Sequence, residues 1–249
     1  AVVMPVDPYT EISYFETIKT LEAVMKLSKA EVGLMGAVPS HPSTKYGYIL
    51  PGEKKEAYFE VQGFAEKPDV KKAEELFAQG ALWNCGVFCV KIGAMLSMAE
   101  KYGVPTDYKG MCDQYEKLPK ISFDYEVLEK ATKLAMVKYQ GFWKDLGTWD
   151  AFAEQMSTDC IGNVVLDDSC QNTQIINELQ APVVAMGTKD LVVVAAQDGI
   201  LITDKSQAAR VKEVTGSFIS RPMFEERRWG TLETLDDTKT DGVSTLTRK

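Results

Sequence analysis

The chain has 249 residues, of which 45% are hydrophobic, 26% charged and 10% aromatic; this is a globular composition that excludes disordered, collagen-like and coiled-coil classes and allows one to two domains. A net charge of −8, from 28 basic and 36 acidic residues, argues against nucleic acid or a membrane as partner, so a phosphate ligand must be held by local groups or a metal. No apolar run approaches the ~20 residues of a membrane span and the first residues do not read as a signal peptide, which leaves the cytoplasm as the expected location.

Ala1 to Val6 is apolar and ends at Pro5-Val6-Asp7-Pro8, the pattern of a strand buried on both faces that runs into a turn. Ser13-Tyr14-Phe15-Glu16 has capping-box spacing, and Phe15, Ile18, Leu21 and Met25 then share one helical face, predicting a helix to about Ala30. Val32 to Val38 follows as a strand. Strand, helix and strand make a βαβ unit with parallel pairing, and the class is α/β. Tyr46 to Leu50 and Tyr58 to Phe64 read as strands, Val70 to Gln79 as a helix stopped by Gly80, and Asn84 to Lys91 as a strand. Met95 to Tyr102 and the stretches after Pro105 and Ser122 read as helices. Leu134 to Tyr139 is a strand, and Thr148 caps a short helix bearing Trp149, Phe152 and Met156.

From Ser157 onward, short apolar runs separated by Asp, Asn, Gly and Gln predict a β-rich unit. Beyond Thr215 apolar periodicity fades. The expected organisation is therefore residues 1–156, a β-rich unit 157–215, and a linker or tail 216–249.

Cysteine and histidine usage narrows the chemistry. Cys85, Cys89, Cys112, Cys160 and Cys170 are odd in number and form no C-x-x-C pair, so they read as reduced thiols. The single histidine, His41, excludes mechanisms that need a histidine base beside a histidine ligand; it sits in a turn between Ser40 and Pro42.

Several positions can carry chemistry, each with a plainer role beside it. Asp7 follows an apolar strand, where a carboxylate can hold Mg2+ against substrate phosphates, or can simply make the turn before Pro8. Asp145, in Trp143-Lys144-Asp145-Leu146-Gly147-Thr148-Trp149, can share that metal or be a loop residue. Lys67, in Glu66-Lys67-Pro68, is biased to an extended backbone by the proline and can reach a phosphate, or be a solvated lysine. Asn84, in Trp83-Asn84-Cys85-Gly86, can donate to and accept from a ligand, or open a strand. Tyr46-Gly47-Tyr48 can set a backbone amide against a ligand or mark a bulge.

Taken in order, Pro5-Val6-Asp7, Lys45-Tyr46-Gly47-Tyr48-Ile49, Phe64-Ala65-Glu66-Lys67-Pro68-Asp69, Trp83-Asn84-Cys85-Gly86-Val87-Phe88, Asp124-Tyr125-Glu126-Val127-Leu128-Glu129 and the Trp143-to-Trp149 segment resemble mannose-1-phosphate guanylyltransferases. Asp190 to Val194 and Asp198 to Leu201 resemble the β-rich continuation of that family. Lys45 stands where a glycine is common and Cys85 where a serine is common. The resemblance implies a partial Rossmann-like nucleotidyltransferase domain followed by a small β-helix-like unit.

It further implies that mannose 1-phosphate attacks the α-phosphorus of GTP, forming GDP-mannose and pyrophosphate with Mg2+ as cofactor. By match to the motifs, Asp7 and Asp145 would hold the metal. Tyr46, Gly47, Glu66, Lys67 and Asn84 would line the sugar-phosphate pocket, with Glu66 and Asn84 on sugar hydroxyls and Lys67 on the phosphate. The family's glycine-rich triphosphate loop has no counterpart in this sequence, and neither does its cupin-like domain. The expectation is a chain inactive alone that gains a complementing segment or self-associates. The alternatives are a non-catalytic module of the same fold and an enzyme for another hexose 1-phosphate.

Overall fold

The computed structural model describes residues 1–131, 133–216, 223–240 and 243–248. The chain divides into two compact units, Ala1–Lys144 and Asp145–Lys249.

The first unit opens with β1 (Val2–Val3), β2 (Pro8–Thr10), α1 (Ile12–Ser28) and β3 (Val32–Ala37). It continues through β4 (Tyr48–Lys54), β5 (Phe59–Ala65), α2 (Val70–Ala78), β6 (Leu82–Val90), α3 (Ile92–Lys101) and α4 (Tyr108–Gln114). A π-helix (Asp124–Leu128) and β7 (Leu134–Tyr139) follow, and the unit ends within β8 (Trp143–Asp145). The main sheet has the order β1-β6-β3-β7-β5-β4, with β4 also pairing β6. In this mixed sheet β3 and β7 run parallel, from Val32↔Leu134 to Ala37↔Tyr139. Against one face α1 packs Tyr14, Leu21, Val24 and Met25. The other face buries Phe88, Val127, Leu128 and Met136, with Met95, Met98 and Phe123 packed on them.

Three expectations are corrected. The opening strand is two residues long at the sheet edge, with Val2 and Val3 about half exposed and Val6 fully so. Among the described residues its sheet partner is β6, and Pro5, lacking an N–H, cannot extend the pairing. Strands β1 and β3 do not pair as a βαβ unit, because β6 lies between them, antiparallel to both. The helix starts at Ile12 after Glu11, without a side-chain cap. Glu16, expected to close the capping box, instead pairs with Lys19 at 2.9 Å.

The second unit contains α5 (Trp149–Ala153), β9 (Cys160–Gly162), β10 (Val164–Leu166), β11 (Gln174–Asn177), β12 (Val183–Ala185), β13 (Leu191–Ala196) and β14 (Gly199–Asp204). Parallel pairs β9–β11–β13 and β10–β12 stack short strands into helical coils, and β14 closes one edge antiparallel to β13. Asn177, nearly fully buried, donates from Nδ2 to the carbonyls of Asn163 and Ala181 at 2.8 Å each and accepts from Leu179 N at 3.0 Å. Within this unit Trp149, Phe152 and Ala153 of α5 pack on Ile176, Val192 and Val194. Helix α6 (Val211–Thr215) ends the β-rich stretch, and the residues expected as linker or tail carry an antiparallel sheet of β15 (Phe224–Arg227), β16 (Gly230–Thr240) and β17 (Val243–Arg248). Backbone pairing between neighbouring strands builds this sheet where apolar periodicity is weak. Among the described residues, no helix is long and apolar enough to cross a membrane.

Candidate active site

Within the first unit, four segments, one of them on β6, come together. The first is the turn before β4: Gly47 O accepts from Asn84 N at 2.8 Å, and Tyr48 pairs with Trp83. A Cβ on Gly47 would lie 2.5 Å from Glu66 Oε2, so a side chain there must displace the Glu66 carboxylate. Tyr46 stacks edge-on to Trp83 and Trp143, with ring centroids 4.8 and 5.3 Å apart, and builds an aromatic wall. His41 stands exposed at the rim, its ring 5.1 Å from that of Trp83.

The second segment follows β5. Glu66 is largely buried, and Lys67 Nζ lies 3.5 Å from its Oε1 while remaining mostly exposed. Lys67 is not extended as expected before proline; its φ is 43°. The left-handed turn reverses the chain between β5 and the start of α2, where Asp69 caps the helix by accepting from Lys72 N at 2.8 Å. A non-glycine residue in this region carries strain that the surroundings must hold.

β6 itself supplies the third segment. Leu34 pairs with Phe88 but Gly36 pairs with Asn84, so Cys85 to Val87 bulge opposite Met35. Gly86, at φ 69°, makes the bulge possible, and its N–H donates to Asn84 Oδ1 at 3.1 Å. Asn84 therefore sits in the strand with its side-chain carbonyl already turned toward the bulge. Cys85 is fully buried, which pushes its thiol far up and leaves it a packing residue.

The π-helix brings the fourth. Asp124 Oδ1 accepts from Asn84 Nδ2 at 2.9 Å, and Glu129 Oε1 accepts from Glu66 N at 3.1 Å. Burial, with the negative charge of Asp124 next, raises the pKa of Glu66 above the usual carboxylate range, and Lys67 opposes the shift. Asp124 is raised as well, chiefly by burial, against its bond from Asn84. Asp124 and Glu129 were not among the residues assigned to the pocket from the sequence. Their motif was legible, but its registry against Asn84 and Glu66 was not.

Of the seven expected site residues, this unit gathers Tyr46, Gly47, Glu66, Lys67 and Asn84 into one neighbourhood. Asp7 is exposed in the connection directly before β2 rather than at the end of a long strand, because β1 stops at Val3. Asp145 begins the second unit, and its Oδ1 accepts from Gly147 N at 2.8 Å. Among the described residues, no group of three or more metal-ligating side chains is present. A carboxylate such as that of Asp7 or of Asp145 is the hard oxygen type that Mg2+ takes.

The arrangement sets the acceptors of Glu66, Asn84 and Asp124 beside the Lys67 ammonium. Comparison with known proteins bears on what it serves. Residues 1–160 match the nucleotidyl transferase family, and residues 162–217 match the MannoseP isomerase/GMP-like β-helix domain. Mannose-1-phosphate guanylyltransferase of Escherichia coli K12 is 29% identical over 83% of this chain and 51% of its own length. The Salmonella typhimurium protein of the same description is 28% identical over 86% of this chain and 51% of its own. The chain thus spans about half the length of the curated relatives it matches. Among solved structures, one from Thermus thermophilus, described as a mannose-1-phosphate geranyltransferase, has 30% identity and a TM-score of 0.67. The match covers 86% of this chain and 68% of that one. On the family match across residues 1–160 and this shared fold, the chain belongs to the nucleotidyl transferase family.

Proposed function

We infer that the first unit binds a hexose 1-phosphate, with mannose 1-phosphate the best fit, as half of a guanylyltransferase that forms GDP-mannose and pyrophosphate from GTP. The observation that carries this reading is the convergence of Gly47, Glu66, Lys67 and Asn84 beside the aromatic wall of Tyr46 and Trp83. The names of the half-matched relatives support the sugar and the nucleotide.

Ionised Glu66 accepts from sugar hydroxyls, and the free N–H and lone pair of Asn84 orient a neighbouring hydroxyl. Lys67 offers a mobile point charge to the phosphate. A phosphate oxygen of the sugar then forms a bond to the α-phosphorus of GTP while the bond to the β-phosphate bridging oxygen breaks and pyrophosphate leaves. The nucleophile is already an anion, so positioning and charge neutralisation replace a general base. Mg2+, when bound, would neutralise charge on the phosphates, and the carboxylates of Asp7 and of Asp145 are each of the hard oxygen type it takes. This chemistry belongs in the cytoplasm, where nucleotide triphosphate is available.

Isothermal titration of the chain with α-mannose 1-phosphate tests the reading. Saturable binding that Lys67→Ala weakens about tenfold is expected, for loss of a charge-assisted contact. Absence of binding, or equal binding of inorganic phosphate, would overturn it; a preference for glucose 1-phosphate would change the sugar. Pyrophosphate release with GTP and Mg2+ reports separately on the transfer step.

A further inference from the structure

The π-helix is an irregular element of the first unit, and its defining bond, Glu129 N to Asp124 O at 3.1 Å, joins the two acidic residues that reach the site. In an α-helix, residues five apart point about 140° away from each other around the axis. Residues three and four apart share a face, so α-helical winding would also align Asp124 with Val127 and Leu128, both buried in the core. The wider turn separates these demands: the apolar pair stays buried while Asp124 and Glu129 reach Asn84 and Glu66 together.

The geometry points to Asp124 and Glu129 as positioning residues, aligned by the π-turn, that lock the Asn84 amide and the Glu66–Lys67 backbone into the orientation the sugar-phosphate site uses. This deepens the reading of that site and rests on it for the ligand. An ionised carboxylate only accepts, so Asp124 dictates that Asn84 presents its NH2 to it, while Gly86 N holds the carbonyl end. With both ends specified the amide cannot flip, and one N–H and one lone pair remain for a ligand. Glu129 ties the N–H of Glu66, the residue directly before the left-handed turn of Lys67, and so anchors the strained step. A packing role alone would not need acids here. Glu66 and Asp124 face the ammonium of Lys67 with Glu129 close to both acids, and burial with mutual repulsion makes that costly.

The test uses the 15N-labelled full chain, with the Asn84 side-chain amide signals assigned from Asn84→Asp. In Asp124→Ala those two signals should collapse toward free-amide positions, whereas Asp124→Asn, which keeps an acceptor oxygen, should preserve their separation. Titration with α-mannose 1-phosphate should be about tenfold weaker for Asp124→Ala and Glu129→Ala and within about threefold of the parent for Glu129→Gln, the size of a lost or kept hydrogen bond. The charges facing Glu66 are Asp124, Glu129 and Lys67. Asp124→Asn removes one negative neighbour, so the acid limb of binding should move to lower pH, which a merely structural residue would not cause. Unchanged Asn84 signals in Asp124→Ala would overturn the proposal, as would binding within about twofold of the parent for both alanine variants. If Asp124→Ala does not fold, the acid-limb shift of Asp124→Asn decides. If the parent chain binds no sugar phosphate, the ligand reading falls while the amide signals still decide the positioning claim.

Discussion

A side chain on residue 47 would collide with the Glu66 carboxylate 2.5 Å away. Gly47→Ala should therefore displace that carboxylate and weaken α-mannose 1-phosphate binding about tenfold, with titration as the measure. Lys67 shows the opposite trade. Its φ of 43° is a conformation glycine adopts freely, so Lys67→Gly should raise the unfolding free energy by about 0.5–1 kcal/mol, read by urea denaturation, while weakening α-mannose 1-phosphate binding about tenfold, as Lys67→Ala does. Glu66 adds a pH signature. Its pKa is higher folded than unfolded, so the stability it contributes is complete below the unfolded carboxylate pKa and is lost as pH rises through the raised value. Glu66→Gln should then be more stable than the parent at about pH 7, with the difference vanishing near pH 4; chemical denaturation at the two pH values checks it. The residue types of this site were legible from their motifs. The backbone of Lys67 was not: the local rule for a residue before proline gives way to the reversal needed between β5 and α2.

At the scale of elements, α2 was readable because its determinants are local. Asp69 caps it, Ala73 and Leu76 face inward, and Gly80, at φ 77°, follows its end. Asp69→Ala should cost about 1 kcal/mol, read as a lowered unfolding midpoint. The start of α1 was misread because Ser13 and Glu16 have the right spacing, but the turn begins at Glu11, whose carbonyl accepts from Tyr14 N at 3.1 Å. A capping box is a statement about two side chains, and Ser13 is engaged elsewhere, with Tyr139 Oη at 3.2 Å. The π-turn is of the same kind: Phe123, Val127 and Leu128 predict a helical apolar face, while the extra residue per turn answers to Asn84 and Glu66 across space.

For the molecule as a whole, the buried clusters of each unit are built from that unit's own residues, as with Ile176, Val192 and Val194 beneath Trp149 and Phe152. Asn177 satisfies three backbone groups in the second unit. Asn177→Ala should thus cost about 3 kcal/mol there, seen as faster hydrogen exchange in β11 and its neighbours, with sugar-phosphate binding retained. The sequence by itself determined the alternation of helices and strands, the β-rich second unit and the chemical types in the pocket, because hydrophobic period, turn residues and ordered motifs are properties of neighbouring positions. Tertiary structure alone decided that β6 separates β1 from β3, that the first strand lies exposed on an edge, and that Asp124 and Glu129 stand behind Asn84 and Glu66. Strand order and side-chain registry depend on contacts between residues far apart in the chain, and no local pattern encodes which of the possible partners a β-strand or a carboxylate will meet.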